Sequence, residues 1–148
     1  MSTLHQEDGS ENNSSETLNL AFESIDSAYG YVDYIISQVQ VLITHFQAED
    51  INTANAHFAE VAELMDLYIQ LMSRIYKVIR ANNPNQPVKD EGIQRLEIHL
   101  LSVMKALLSA KEKNDNIMLC DLLEYELIDN LTQWKIKILP ELKKLKNP

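Results

Sequence analysis

A chain of 148 residues, 45% of them hydrophobic, is about one domain and can bury a core without disulfides or a structural metal. Its 13 basic against 22 acidic side chains leave a formal charge of -9, which repels nucleic-acid phosphates and anionic lipid, and its single Cys excludes an internal disulfide. No apolar run approaches the roughly 18 residues of a membrane span, and the first residues lack the basic and apolar regions of a secretion signal, so a soluble, cytoplasmic chain is expected, with neither nucleic acid nor membrane as partner.

Met1 to Glu16 hold almost nothing apolar. They cannot offset the entropy of ordering and are predicted as a disordered polar tail, 1–16, ahead of one helical domain, 17–148. Leu18, Leu20, Ala21 and Phe22 come next, and either extend the first helix backwards or dock as a separate arm. Helix one is predicted over 25–47, capped by Ser24 or Asp26, with Ile25, Tyr29, Val32, Ile36, Val39, Ile43 and Phe46 on one face. Helix two, 51–81, has Asp50 as its cap and stops at Asn82, Asn83 and Pro84. Asp90 opens helix three, 90–112, whose inner face reads Ile93, Leu96, Leu100, Val103, Leu107, Ala110. Helix four, 115–139, carries Cys120, Leu123, Leu127, Leu131, Trp134 and Ile138. Pro140 is expected to kink or end it, with continuation to 145 if the proline is tolerated. The linkers are short and no segment alternates with period two. The fold class is therefore all-α, an antiparallel up-down-up-down four-helix bundle with a disordered N-terminal tail.

Helix two is more apolar than a core alone requires. Ala54, Phe58, Val61, Met65, Tyr68, Met72, Tyr76 and Ile79 form one stripe; Leu64, Leu67, Leu71, Ile75 and Val78 form a second. At about 100° per residue the two cover an arc of roughly 200°. Either the Leu18 to Phe22 segment or a neighbouring helix lies over the second stripe, or the stripe is a partner-binding face for an amphipathic helix or for a second copy of the chain. Leu101, Met104 and Leu108 widen helix three in the same way.

Glu124 sits among Ile117, Cys120, Ile128 and Leu131 on the helical wheel, which makes it the candidate buried carboxylate. Tyr29, Tyr68 and Tyr76 project from inner faces as donors for it, in a structural role. Carboxylates spaced by three, Glu60, Glu63 and Asp66 on helix two and the pairs Asp121 with Glu124 and Glu126 with Asp129 on helix four, raise the alternative of a Mg²⁺ hydrolase like the helical nucleotide pyrophosphohydrolases. Solvated helix faces carry such runs too, and neither a metal nor a cofactor is expected. The histidines are scattered, Cys120 lies on an inward stripe as an inert side chain, and three glycines make no phosphate-cradling loop, so no catalytic residue is predicted.

Three segments carry a family resemblance. Tyr-Val-Asp-Tyr-Ile-Ile at 31–36, Ala-Glu-Asp-Ile-Asn-Thr-Ala at 48–54, and Lys-Asn-Asp-Asn at 113–116 before a helix ending Leu-Thr-Gln-Trp at 131–134 resemble the flagellin-export chaperones. Those are small helical bundles that hold the C-terminal helices of flagellin. The resemblance implies protein binding by a non-enzymatic, chaperone-like or adaptor bundle. A self-associating structural protein is the alternative.

Overall fold

The structure, a computed structural model, describes the backbone of residues 2–82 and 91–146, with side chains from residue 15 onward. Among these residues there is helix and no strand. Three α-helices, α1 (Ser2–Gln47), α2 (Ile51–Asn82) and α3 (Glu91–Glu112), are followed by a fourth helical stretch, here α4, over 116–144. Asp90 and most of the Asn82 to Lys89 linker, for which a cap and a break were predicted, lie outside the described residues.

Apolar residues at alternating spacings of three and four make a seam that stays on one side of a helix, because the sequence repeat nearly matches the turn. On α1 that seam is Ile25, Ala28, Val32, Ile35, Val39, Leu42 and Phe46; on α2 it is Ala54, Phe58, Val61, Met65, Tyr68, Met72, Ile75 and Ile79. All are buried. The predicted face of α1 was thus one flank of a wider one. Tyr29 and Ile36 are half-buried at its edge, while Ala28, Ile35 and Leu42 belong to the centre.

That width follows from position. α1 packs along α2 on one side and along α4 on the other, and α4 also covers α3. Tyr31 Oη donates to Leu64 O at 3.4 Å and Gln38 Oε1 meets His57 Nε2 at 2.8 Å, joining α1 to α2. Lys135 reaches Asp33 at 2.7 Å and Lys143 reaches Asp26 at 2.8 Å, joining α4 to α1. In both pairings residue numbers fall on one helix as they rise on the other. These exposed ion pairs orient the helices and contribute little energy.

The start of α1 corrects a predicted boundary. Neither Ser24 nor Asp26 begins a helix: the Ser24 hydroxyl donates to Leu20 O at 2.8 Å within a continuous helix, and Asp26 is committed to Lys143. Leu18 to Phe22 therefore extend α1 backwards, with Ala21 and Phe22 buried and Leu18 packed on the core. The backbone of the predicted tail continues this helix to Ser2, while the side chains of residues 1–14 lie outside the described ones.

Two bends share one construction. Glu49 (φ 60°) and Asn114 (φ 54°) adopt the left-handed conformation just past α1 and α3. Glu49 N–H then donates to Phe46 O and Asp50 N–H to His45 O, as Asn114 N–H does to Lys111 O and Asp115 N–H to Ala110 O. This double closure satisfies carbonyls that a helix end leaves open. Asp115 next caps α4 by accepting from Met118 N–H at 3.1 Å.

α4 is the irregular helix. Its buried residues Leu119, Leu123, Leu127 and Leu131 are spaced by fours, and each such step overshoots an α-helical turn by about 40°. Wider π-helical turns at Leu122–Leu127 and Trp134–Ile138 absorb the drift and keep the apolar side chains on the core. Leu119 takes the buried place predicted for Cys120, which is only half-buried. Pro140 does not end the helix: it follows the second π turn, near the start of the α-helical turns Leu139–Lys144, and Leu139 and Leu142 are buried there.

Phe22 tests the corrected start of α1. Phe22→Ala should lower unfolding free energy in urea by about 3 to 5 kcal/mol, as for a buried core aromatic. A change under about 1 kcal/mol would mean that the segment merely rests on the surface.

Candidate functional site

The five residues predicted as a partner-binding face on α2 do not form an open surface. Ile75 is buried, Leu64, Leu71 and Val78 are half-buried against the core, and Leu67 alone is exposed, at 49%. α1 is the cover. The pairs Tyr31 with Leu64 and Gln38 with His57 set a register that carries Ser24 opposite Leu71 and Thr17 opposite Val78, so the backward extension of α1 runs along the second stripe.

Exposed apolar surface lies instead on α3, across from the opposite flank of α2, where Met72 and Tyr76 are buried and Ile69 is half-buried. Although α2 and α3 are consecutive, they are not among the closely packed helix pairs. Between them is a cavity of about 230 Å³, with Ile69, Met72 and Tyr76 of α2 facing Glu97, Leu100 and Leu101 of α3, and with Tyr68 and Trp134 among its lining. Lys77 and Arg80 also line it. On the α3 side Leu101 is 52% exposed and Leu108 51%, two turns apart on one face, with half-buried Met104 between them. The widening of helix three read in the sequence thus marks the exposed wall of a cleft.

Tyr68 is the hub below it. Its ring stacks on Tyr31 of α1 at 6.2 Å and meets the Trp134 ring edge-on at 5.7 Å. Burial pushes the Tyr68 hydroxyl well above its ordinary pKa, so it remains a neutral O–H. Neither that hydroxyl nor Trp134 Nε1 finds a hydrogen-bond partner among the described residues. Buried groups of this kind ordinarily have one.

Comparison with protein families matches residues 23–137 to a domain of unknown function, DUF8042. The chain belongs to the DUF8042 family. No curated protein and no solved structure matches it. In this DUF8042 chain the matched span runs from the second half of α1 to the second π turn of α4, and so includes both walls and the floor of the cleft.

Glu124, the predicted buried carboxylate, is exposed, and no tyrosine bond to it forms among the described residues. The first π turn includes Glu124, so an even α-helical wheel misplaces it. Besides His57, the buried polar side chain among the described residues is Asn130, fully enclosed, whose Nδ2 donates to Leu96 O at 3.1 Å and to His99 Nδ1 at 2.9 Å. With Nδ1 accepting, His99 Nε2–H donates to Glu126 Oε2 at 2.9 Å. The chain Glu126, His99, Asn130 clamps α3 to α4. Its sequence signal was spacing: Asn130 stands three residues after Leu127 and four before Trp134, on the stripe to which both belong. Glu60, Glu63, Asp66, Asp121 and Asp129 are exposed, and among the described residues no group of three His, Cys, Asp or Glu is placed to share a metal ion.

Burial first, then Asp121 and Glu124, push the Cys120 thiol up from its ordinary value. Because the folded value is the higher one, the linked stability is present at neutral pH and declines as pH rises above 9.0, the ordinary value, through the raised one. Cys120→Ala should flatten that alkaline decline in a urea series. An unchanged slope would locate it in other groups.

Single replacements separate the covered and the exposed members of the second stripe. Leu71→Ser should cost about 1 to 3 kcal/mol, because its side chain packs on the core. Leu67→Ser should change stability by no more than about 0.5 kcal/mol, as for an exposed site. Equal losses in urea denaturation would show that the stripe behaves as one surface.

Proposed function

We propose that the protein is a non-enzymatic, helix-binding bundle of the adaptor or chaperone-like kind, with its helices in an antiparallel up-down-up-down order, and that its partner's amphipathic helix lies in the cleft between α2 and α3. The observation that carries this reading is the separation of those two helices, which leaves Leu101 half-exposed at an apolar hollow, with Leu108 half-exposed two turns farther along α3. A bundle selected for stability alone gains by closing such a gap, since each buried Leu contributes about 1.5 to 3 kcal/mol. A partner helix supplies the missing side chains.

Charge specifies the occupant further. In a chain of net charge -9, the cleft is edged by Lys77 and Arg80 on α2, with Lys105 lying between Leu101 and Leu108 on α3. An amphipathic helix with acidic residues beside its apolar face complements that edge. The resemblance of 31–36, 48–54 and 113–116 to flagellin-export chaperones supports a role of holding helices that are exposed until assembly. The partner face moves accordingly from Leu64, Leu67, Leu71, Ile75 and Val78 to Leu101 and Leu108 on α3.

The test is the double variant Leu101→Ser, Leu108→Ser. It should keep the wild-type melting temperature within a few degrees, because both side chains already meet water, and should lose a partner that crosslinks to a photoreactive residue at position 105. A folded variant that keeps the same crosslinked partner and the same sedimentation behaviour overturns the reading.

A further inference from the structure

We infer that the cavity between α2 and α3 is a binding site for a small organic carboxylate with a compact apolar body. It concerns the same cleft as the proposed helix docking but only the part lined by Leu101, since Leu108 is not part of the cavity wall.

Three independent observations meet there. The first is space: about 230 Å³ walled by Met72, Tyr76, Leu100 and Leu101 holds a group of one or two fused rings. A hollow of that size in a close-packed protein forfeits contacts along its walls, which an apolar ligand restores. The second is an aromatic floor. Tyr68 is fully buried and Trp134 is 2% exposed, and both are among the lining residues, so the apolar body of a ligand meets aromatic surface there.

The third observation is charge. Lys77 and Arg80 stand one turn apart on the α2 side of the cavity, exposed and outside every ion pair formed by the described residues. Glu97 faces them from α3. Among the described lining residues two cations stand against one carboxylate, a balance that favours a monoanion over a cation or a neutral molecule. Lys77 supplies a point charge and Arg80 a planar fork matched to a carboxylate. A ligand of this class places its apolar body over Met72 and Leu100 and its carboxylate toward the α2 cations.

Trp134 is the single Trp, so its emission and its one indole N–H resonance both report on the cavity. The probes are 1-adamantanecarboxylate and its neutral counterpart 1-adamantanemethanol, both transparent where Trp absorbs. The full chain should show a saturable change in Trp134 emission and a rise in melting temperature with the acid, and about tenfold weaker binding of the alcohol. Lys77→Gln with Arg80→Gln should bring the two affinities together. Ser73→Phe, at the cavity edge, should abolish both, and Leu101→Phe serves the same purpose if the first variant loses its helical circular dichroism. Leu108→Ser should bind the acid as the wild type does, so a failed helix partner and a failed ligand site are distinguishable. The inference is overturned if the acid gives no saturable response up to millimolar concentration, if acid and alcohol bind alike to the wild type, or if both filled-cavity variants still bind.

Discussion

The contact of Tyr68 with Trp134 sets the geometry of the whole molecule. These rings meet edge-on at 5.7 Å, and Tyr68 stacks in turn on Tyr31, so that α1, α2 and α4 are tied at one level of the core. An edge-to-face pair gains beyond its buried area because the positive rim of one ring lies on the negative face of the other. It also holds helices farther apart than aliphatic packing does. A large ring on α2 reaching a large ring on α4 leaves room beside them, and the cavity next to α3 is that room.

α1 makes such an opening tolerable. It packs on α2 and on α4 along most of its length, and its seam of Ile25, Val32, Ile35, Val39 and Leu42 is wholly buried. α3 is held separately by α4, through Leu100, Val103 and Leu107 and through the polar clamp of Asn130, His99 and Glu126. Since neither α2 nor α3 depends on the other for its position, the space between them is free to serve binding.

The irregular path of α4 belongs to the same arrangement. A helix that must present Leu119, Leu123 and Leu127 and then Trp134 and Ile138 inward carries too many steps of four for a straight α-helix, and two π turns supply the correction. Such turns recur at functional sites. Here the second one begins at Trp134, on the floor of the cleft.

By itself the sequence determined helices two and three, because alternating threes and fours along those segments are a local signal. α2 and α3 match their predicted ranges to within a residue. It also showed that α2 has more apolar surface than a core face needs. Where apolar surface stays exposed was not legible, since a helical wheel records breadth and not neighbours: α1 runs along Leu64, Leu71 and Val78, Met72 and Tyr76 on the side toward α3 are buried as well, and Leu101 of α3 is left exposed. Asn130, for which no role was predicted, holds the buried polar place expected of Glu124, for a related reason. π turns change the angle per residue, and whether a helix contains them is decided by the partners its side chains must reach, which only the tertiary structure supplies.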